Sequence, residues 1–292
     1  MNVVTAIVGR NLRLFFRDRL NVFFSLLGAV ILFGLYTLFL GNLQTTDLAE
    51  SLPGASTGEV QAFVDSWMFA GIVLITTVTT GLGGLSVLVD DDQSGRFRDF
   101  LVAPLRRGQL VLGYLLSAVL VAVLLSVLVL AISILYLGVV RGSWMSVPAV
   151  LRSLAIVVLA CVSFTALSAL IVSFVRTNGA FSGLATIVGT ILGFVAAAYI
   201  PIGVFPAGVA SVVAALPFAQ AGMLLRREFA DDTLAQMTAG VPEASEPLRA
   251  VYGLDLTIGD WAVPSWFVVA VLAVVAVVCT ALSARLMRRR IR

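Results

Sequence analysis

The stretch VDDDQSGRFRDFLVAPLRRGQLVLG, residues 89–113, decides how this chain is folded. It holds a cluster of charged residues, whereas residues 72–89 before it and residues 110–140 after it carry no charge. Each uncharged run reaches the length of a candidate transmembrane helix. The charged stretch therefore lies in water between two membrane spans. Its charged residues are Asp90, Asp91, Asp92, Arg96, Arg98, Asp99, Arg106 and Arg107.

Apolar side chains recur at near-helical spacing inside this stretch. Gly95 precedes them and Pro104 interrupts them, which predicts a short amphipathic helix followed by a turn. A helix of that kind can dock on a partner. The apolar residues are Phe97, Phe100, Leu101 and Leu105.

The composition places the whole chain in a membrane. Of its 292 residues 60% are hydrophobic and 12% are charged, and the mean hydropathy is +1.06. All 19 basic residues are arginines, and the chain has no histidine. A P-loop lysine, a histidine-based catalytic triad and a histidine metal site are therefore excluded. If ATP drives this protein, another chain binds it.

The hydrophobic pattern predicts an all-α polytopic membrane protein with six transmembrane helices, forming one transmembrane domain over residues 1–292. Residues 41–65 are expected to form a polar external loop and residues 90–109 a cytoplasmic loop. Residues 226–264 are expected to form a longer external loop or a small external cap. In the second span, small and hydroxylic residues favour close helix packing over the alternative of a face that lines a translocation path. The six predicted spans are residues 20–40, 66–89, 110–140, 147–175, 180–201 and 265–284.

Residues 202–225 are apolar but broken by glycine and proline. As a seventh crossing they would leave the arginine-rich C-terminus outside, which disagrees with the positive-inside rule. With six crossings, 14 of the 19 arginines and 5 of the 16 acidic residues lie inside, together with both termini. We therefore expect a re-entrant helical hairpin on the external side. Its marker prolines are Pro201, Pro206 and Pro217.

Residues 3–19 form a predicted amphipathic helix. Arg10, Arg13 and Arg17 share one face, and apolar residues that include Phe15 follow another. Such a helix is expected to lie in the membrane interface, with arginines among the headgroups and phenylalanines in the acyl boundary. The alternative is a positively charged flank that only sets topology.

The charged loop resembles the first cytoplasmic loop of ABC-2 type permeases. In that family the loop is a coupling helix that seats in a groove of a separate ATPase, and the helix before the first span helps to clasp the same subunit. The resemblance also implies a smaller ATPase contact at residues 176–178, and the prolines after the fifth span match the family as well. The alternative is an ordinary solvated loop whose charges hold topology. The coupling residues so implied are Asp92, Gly95, Phe97, Asp99, Phe100, Leu101, Pro104 and Arg106.

The resemblance implies the membrane half of an exporter in the cytoplasmic membrane. Its expected partners are two copies of an ABC ATPase subunit, a second permease chain and membrane lipids, but no nucleic acid. ATP and Mg²⁺ would be bound by the ATPase, so this chain needs no cofactor, catalytic residue or metal of its own. The first and fifth spans are the expected seam between two permease chains.

Two other functions compete with this interpretation. An intramembrane enzyme or a carrier driven by an ion gradient would need polar or ionisable residues buried at mid-span, and the sequence shows none there beyond serine and threonine. Arg152 lies only one turn into the fourth span, where its long side chain can reach the outer interface. The same lack of charge favours a hydrophobic or amphipathic substrate, such as a drug or a lipid-like molecule.

The three acids at residues 90–92 follow the end of the second span. Negative charge at a helix C-terminus opposes the helix dipole. We therefore expect these acids to serve the ATPase contact together with the face carrying Phe97, Phe100 and Leu101. Capping of the next short helix by Asp92 or Ser94 is the alternative.

Overall fold

The computed structural model describes residues 3–52, 54–97 and 106–290, and elements are numbered here along those residues. The first part holds α1 (Val3–Arg17), α2 (Arg19–Leu35), a π-helical turn (Tyr36–Leu40), α3 (Gly41–Ser51), α4 (Thr57–Gly84) and α5 (Ser86–Gln93). The middle holds α6 (Arg107–Arg141), α7 (Val147–Val172) and α8 (Asn178–Val195). The last part holds a 3₁₀ turn (Ile202–Val204), α9 (Ala207–Ala215), α10 (Pro217–Met237), a second 3₁₀ turn (Pro242–Ala244), α11 (Ser245–Val251), β1 (Thr257–Ile258), β2 (Trp261–Ala262) and α12 (Ser265–Arg290).

Six helical segments in the described residues are long and apolar enough to cross a membrane. A further pair, α9 and α10, meets at 84° across the break at Leu216 and Pro217. The all-α polytopic fold with a broken helix pair after the fifth span is therefore confirmed. Proline stands at the first position of α10, where its missing N–H breaks no helical hydrogen bond.

Helix α4 is the centre of the bundle. Helices α4 and α5 together form one candidate span, residues 57–93. In its most apolar stretch of 18 consecutive residues, 89% of the residues are buried. The hydroxyl groups of Thr76 and Thr80 bond to carbonyls of their own helix, and a Cβ added at Gly84 would lie 2.9 Å from the Cα of Ala118 in α6. The small and hydroxylic residues of this span thus allow close helix packing, as predicted.

Two predicted loops are more helical than expected. Residues 41–65, predicted as a polar loop, form α3 and the first turns of α4, because Leu48, Val60 and Phe63 bury in the core. A capping box between Ser56 and Glu59 begins α4 at Thr57. Helix α10 likewise continues to Met237, past the predicted hairpin end at 225, because Phe229 and Leu234 extend its buried face.

The rest of residues 226–264 forms a small folded cap with α11 and the antiparallel pair β1–β2. The carboxylate of Asp255 accepts hydrogen bonds from Arg227 at 2.5 Å and from Arg249 at 2.6 Å. Burial alone would raise the pKa of Asp255, but the hydrogen bonds from Arg249 and Arg227 outweigh it and leave the pKa lowered. The indole of Trp67 in α4 donates to the carbonyl of Tyr252 at 2.7 Å and fixes the cap to the bundle.

Arg226, near the start of the cap, is fully buried. Its Nη2 donates to the carbonyls of Ala196 and Ala197, each at 2.7 Å, at the end of α8. Its guanidinium carbon lies 5.5 Å from the centre of the Trp67 ring. Arg226 lies outside the predicted spans and just after the predicted hairpin, so its full burial is a feature that the hydrophobic pattern did not predict. A helix C-terminus and an aromatic face together accept its charge.

Candidate functional site

The candidate site is the end of α5, where the charged loop begins. Asp91 is fully buried there, although it belongs to the most charged stretch of the chain. Arg10 donates from Nη1 to Oδ2 at 2.6 Å and from Nη2 to Oδ1 at 2.9 Å. Tyr114 donates its hydroxyl to Oδ2 at 2.5 Å, and Arg96 donates Nη1 to Oδ1 at 3.2 Å. We call these four residues the Asp91 joint.

The joint connects three elements that are far apart in sequence. Arg10 comes from α1, Asp91 from α5 and Tyr114 from α6. The bidentate contact with Arg10 is the strongest geometry between a guanidinium and a carboxylate, and it holds both groups in one orientation. The exposed fractions of the Arg10 and Arg96 side chains are 31% and 53%, so the joint borders the aqueous loop.

Helix α1 packs on the bundle through more than this ion pair. Asn11 is buried and donates its amide to the hydroxyl of Ser117 in α6 at 3.2 Å. Phe15 is 1% exposed, next to Leu82, Leu85 and Leu88 in one buried cluster. The expectation that Arg10 lies among headgroups and Phe15 in the acyl boundary is therefore corrected: both side chains bind the protein. Arg13 and Arg17, which share a face of α1 with Arg10, are exposed.

The acids after the second span also behave differently from the hypothesis for them. Asp91 is an internal partner of Arg10, Arg96 and Tyr114, so it offers no carboxylate to another chain. The helix dipole disfavours an acid at this helix end, and the arginines supply the compensating charge. Asp90 is exposed and Asp92 is partly buried. The sequence signal for the joint is weak: alternating charges in the loop, an arginine face on α1 and one tyrosine in an apolar span.

Phe97 was expected on the docking face of the loop, but its side chain is 7% exposed. Its ring packs edge-on against Tyr114, with the ring centroids 5.9 Å apart. Phe97 thus holds the start of the loop against α6. Gly95 adopts a left-handed φ of +74°, which favours glycine at this turn.

The remaining predicted coupling residues divide in two. Arg106 is exposed and stands just before α6, where its backbone N–H donates to the side chain of Gln109 at 3.2 Å. The other four, Asp99, Phe100, Leu101 and Pro104, lie outside the described residues.

The turn before α8 meets the end of α5. The backbone N–H of Asn178 donates to Oε1 of Gln93 at 2.6 Å. Gln93 and Asn178 also line a shallow cavity of about 390 Å³ with Asp90, Ser94 and Arg96. The structure therefore brings together the two loops for which the sequence implied a common partner, beside the Asp91 joint.

The three hairpin prolines each stand at an element boundary. Pro201 precedes the first 3₁₀ turn, Pro206 precedes α9, and Pro217 opens α10. They lie more than 80 residues after the last residue of the Asp91 joint in sequence, and they shape the broken helix pair.

One family model matches the chain. It is described as ABC-2 family transporter protein and covers residues 40–285, which include α3 through most of α12. No curated protein matches the chain.

Proposed function

Since the chain belongs to the ABC-2 transporter family, we propose that it is the permease subunit of an ATP-driven exporter. A permease of this family is a membrane subunit that works with an ATPase subunit and is not itself catalytic. We further propose that the end of the bundle carrying α1 faces the cytoplasm. Two ATPase chains, with ATP and Mg²⁺ bound to them, would then sit below a pair of permease chains.

The Asp91 joint is the observation that carries the proposal. An ATPase that pushes on residues 94–106 would act directly on Arg96 and Phe97, which contact Asp91 and Tyr114. Arg10 would pass the displacement to α1, and Gln93 would pass it to the turn before α8. Because interlocked buried groups shift together rather than deform separately, α1, α5 and α6 would respond as one unit.

The second permease chain is proposed to pack on α2 and α8. In the most apolar 18-residue stretch of the two candidate spans that contain these helices, only 22% and 11% of the residues are buried. The corresponding fraction in the span that contains α4 is 89%. A Cβ added at Gly183 or Gly189 of α8 would meet nothing within 4 Å, so another helix can approach closely there. Crosslinking of cysteines placed at Gly183 in native membranes should therefore yield a permease dimer.

The proposed substrate is hydrophobic or amphipathic. The buried cation of Arg226 is already engaged by two carbonyl groups and the Trp67 ring. It therefore gives little reason to expect a strongly charged substrate in the apolar part of the bundle.

The test is affinity purification of the tagged permease from its native membrane, with co-purified ATPase identified by mass spectrometry and its activity assayed. Leu101→Asp should leave insertion intact but abolish ATPase recovery and ATP-dependent transport, because a charge in an apolar anchor opposes docking. Val241→Asp, an exposed position in the cap, is the matched control. Full ATPase recovery and transport by Leu101→Asp would show that residues 94–106 are a connector only.

A further inference from the structure

A cavity of about 610 Å³ lies at the end of the bundle opposite the Asp91 joint. Its walls come from the start of α4, the turn between α6 and α7, and the second half of α10. Its charged lining residues are Glu59, Glu228, Asp232 and Arg141. Three acids and one arginine make the lining net negative.

The charges in this cavity are not equally compensated. Nε of Arg141 contacts Asp65 at 2.5 Å and its Nη1 donates to Gln61 at 2.8 Å, so this cation is already paired with another carboxylate. Glu228 is likewise paired, with Arg152 at 2.8 Å.

Two carboxylates keep acceptor capacity. Glu59 uses Oε2 to accept hydrogen bonds from the N–H and hydroxyl of Ser56, both at 2.8 Å, and Oε1 has no bonded partner among the described residues. Asp232 is exposed, and its side chain makes no ion pair or hydrogen bond with any residue that the structure describes. Negative charge on two walls of one cavity attracts a cation.

An aromatic face accompanies this charge. The Trp144 side chain is 62% exposed and lines the cavity beside Met145. Its ring rests on Gly138, where any Cβ would collide with it. The indole is thus supported on one side and open on the other, as a cation–π contact requires.

We propose that this cavity binds an amphipathic organic cation. The positive group sits between Glu59 and Asp232, and the apolar part lies on Trp144 and Met145. The volume falls within the usual range of small-molecule sites, roughly 300–1,000 Å³. The proposal concerns binding to the permease chain alone and does not depend on ATP drive.

The experiment measures fluorescence polarisation of rhodamine 6G, a lipophilic cation, with the purified chain in phosphatidylcholine nanodiscs. Empty nanodiscs correct for partition of the dye into lipid, and fluorescein serves as the anionic comparison. We expect saturable binding of the cation that weakens as salt rises, because the carboxylates are partly exposed. No ATPase or nucleotide is present, so the outcome is independent of the exporter proposal.

Asp232→Asn and Glu59→Gln should each weaken binding by about threefold to fivefold, the upper part of the range for exposed charge pairs. Glutamine at residue 59 keeps the capping box of α4. Trp144→Leu should weaken binding by a similar factor, about threefold. Glu243→Gln, an exposed acid of the cap outside the cavity, should bind as the unaltered chain does. Equal affinity in all four variants, or equal binding of fluorescein, would overturn the proposal.

Discussion

Asp91 and Arg226 are both fully buried, but their charges are compensated in different ways. Asp91 accepts hydrogen bonds from two arginines and a tyrosine, and both arginines reach water. Arg226 has no carboxylate partner among the described residues. It donates Nη2 to two carbonyls, while its Nε and Nη1 have no hydrogen-bond partner there.

This difference gives the two buried charges different roles, since Asp91 can respond to the charged loop whereas Arg226 holds two helices together. The partners of Asp91 come from elements that adjoin the charged loop, so a force on the loop can change the joint. Arg226 bonds to the rigid end of α8 and stacks on Trp67 in the central helix. A partly satisfied buried cation adds little net stability. Its two hydrogen bonds nevertheless set where α10 packs against the end of α8.

The largest effect is expected for Arg10→Met. The variant leaves the buried carboxylate of Asp91 with one exposed arginine as its only cation among the described residues, beside the hydroxyl of Tyr114. Removing one partner of a buried ion pair costs about 3 kcal/mol or more. Thermal unfolding in nanodiscs should show a clear drop for Arg10→Met and almost none for the matched Arg13→Met, since Arg13 is exposed on the same helix. Equal unfolding midpoints in the two variants would mean that the joint contributes no stability.

An intermediate effect is expected for Arg226→Met. The change leaves two carbonyls without a donor, at about 1–3 kcal/mol for an unsatisfied group. It also removes a guanidinium that is itself incompletely paired, which offsets part of that cost. The loss of unfolding free energy should therefore be smaller than for Arg10→Met. The opposite order would make Arg226 the stronger of the two charged contacts.

The smallest effect is the difference between Gly253→Ala and Gly259→Ala. Both glycines have left-handed φ, +68° and +61°, so alanine costs about 1–2 kcal/mol of backbone strain at each. At Gly253 the new Cβ would also lie 2.9 Å from Nη1 of Arg226, whereas at Gly259 it would meet nothing within 4 Å. Gly253→Ala should thus unfold at the lower temperature.

The Arg226→Met background sharpens this last comparison. If the extra cost at Gly253 comes from the guanidinium, it should shrink when Arg226 is replaced, whereas backbone strain should remain. An unchanged difference in that background would assign the cost to Ile202 or to the backbone instead.

Apolar run lengths and arginine placement predicted the number of spans and the break near Pro217, because insertion and helix breaking depend on neighbouring residues. Local patterning also predicted α1. It predicted the wrong surroundings for Arg10, Phe15 and Phe97, since an amphipathic face does not say whether lipid, a partner or the same chain covers it.

The sequence by itself determined the helical membrane class, the spans and the likeness of the charged loop to a family. The tertiary structure alone decided that Arg10 meets Asp91, that Gln93 meets Asn178 and that Arg226 caps α8. These partners lie 81, 85 and 30 residues apart. Hydrophobic periodicity acts over a few residues, whereas the pairing of a buried charge depends on which helices pack together.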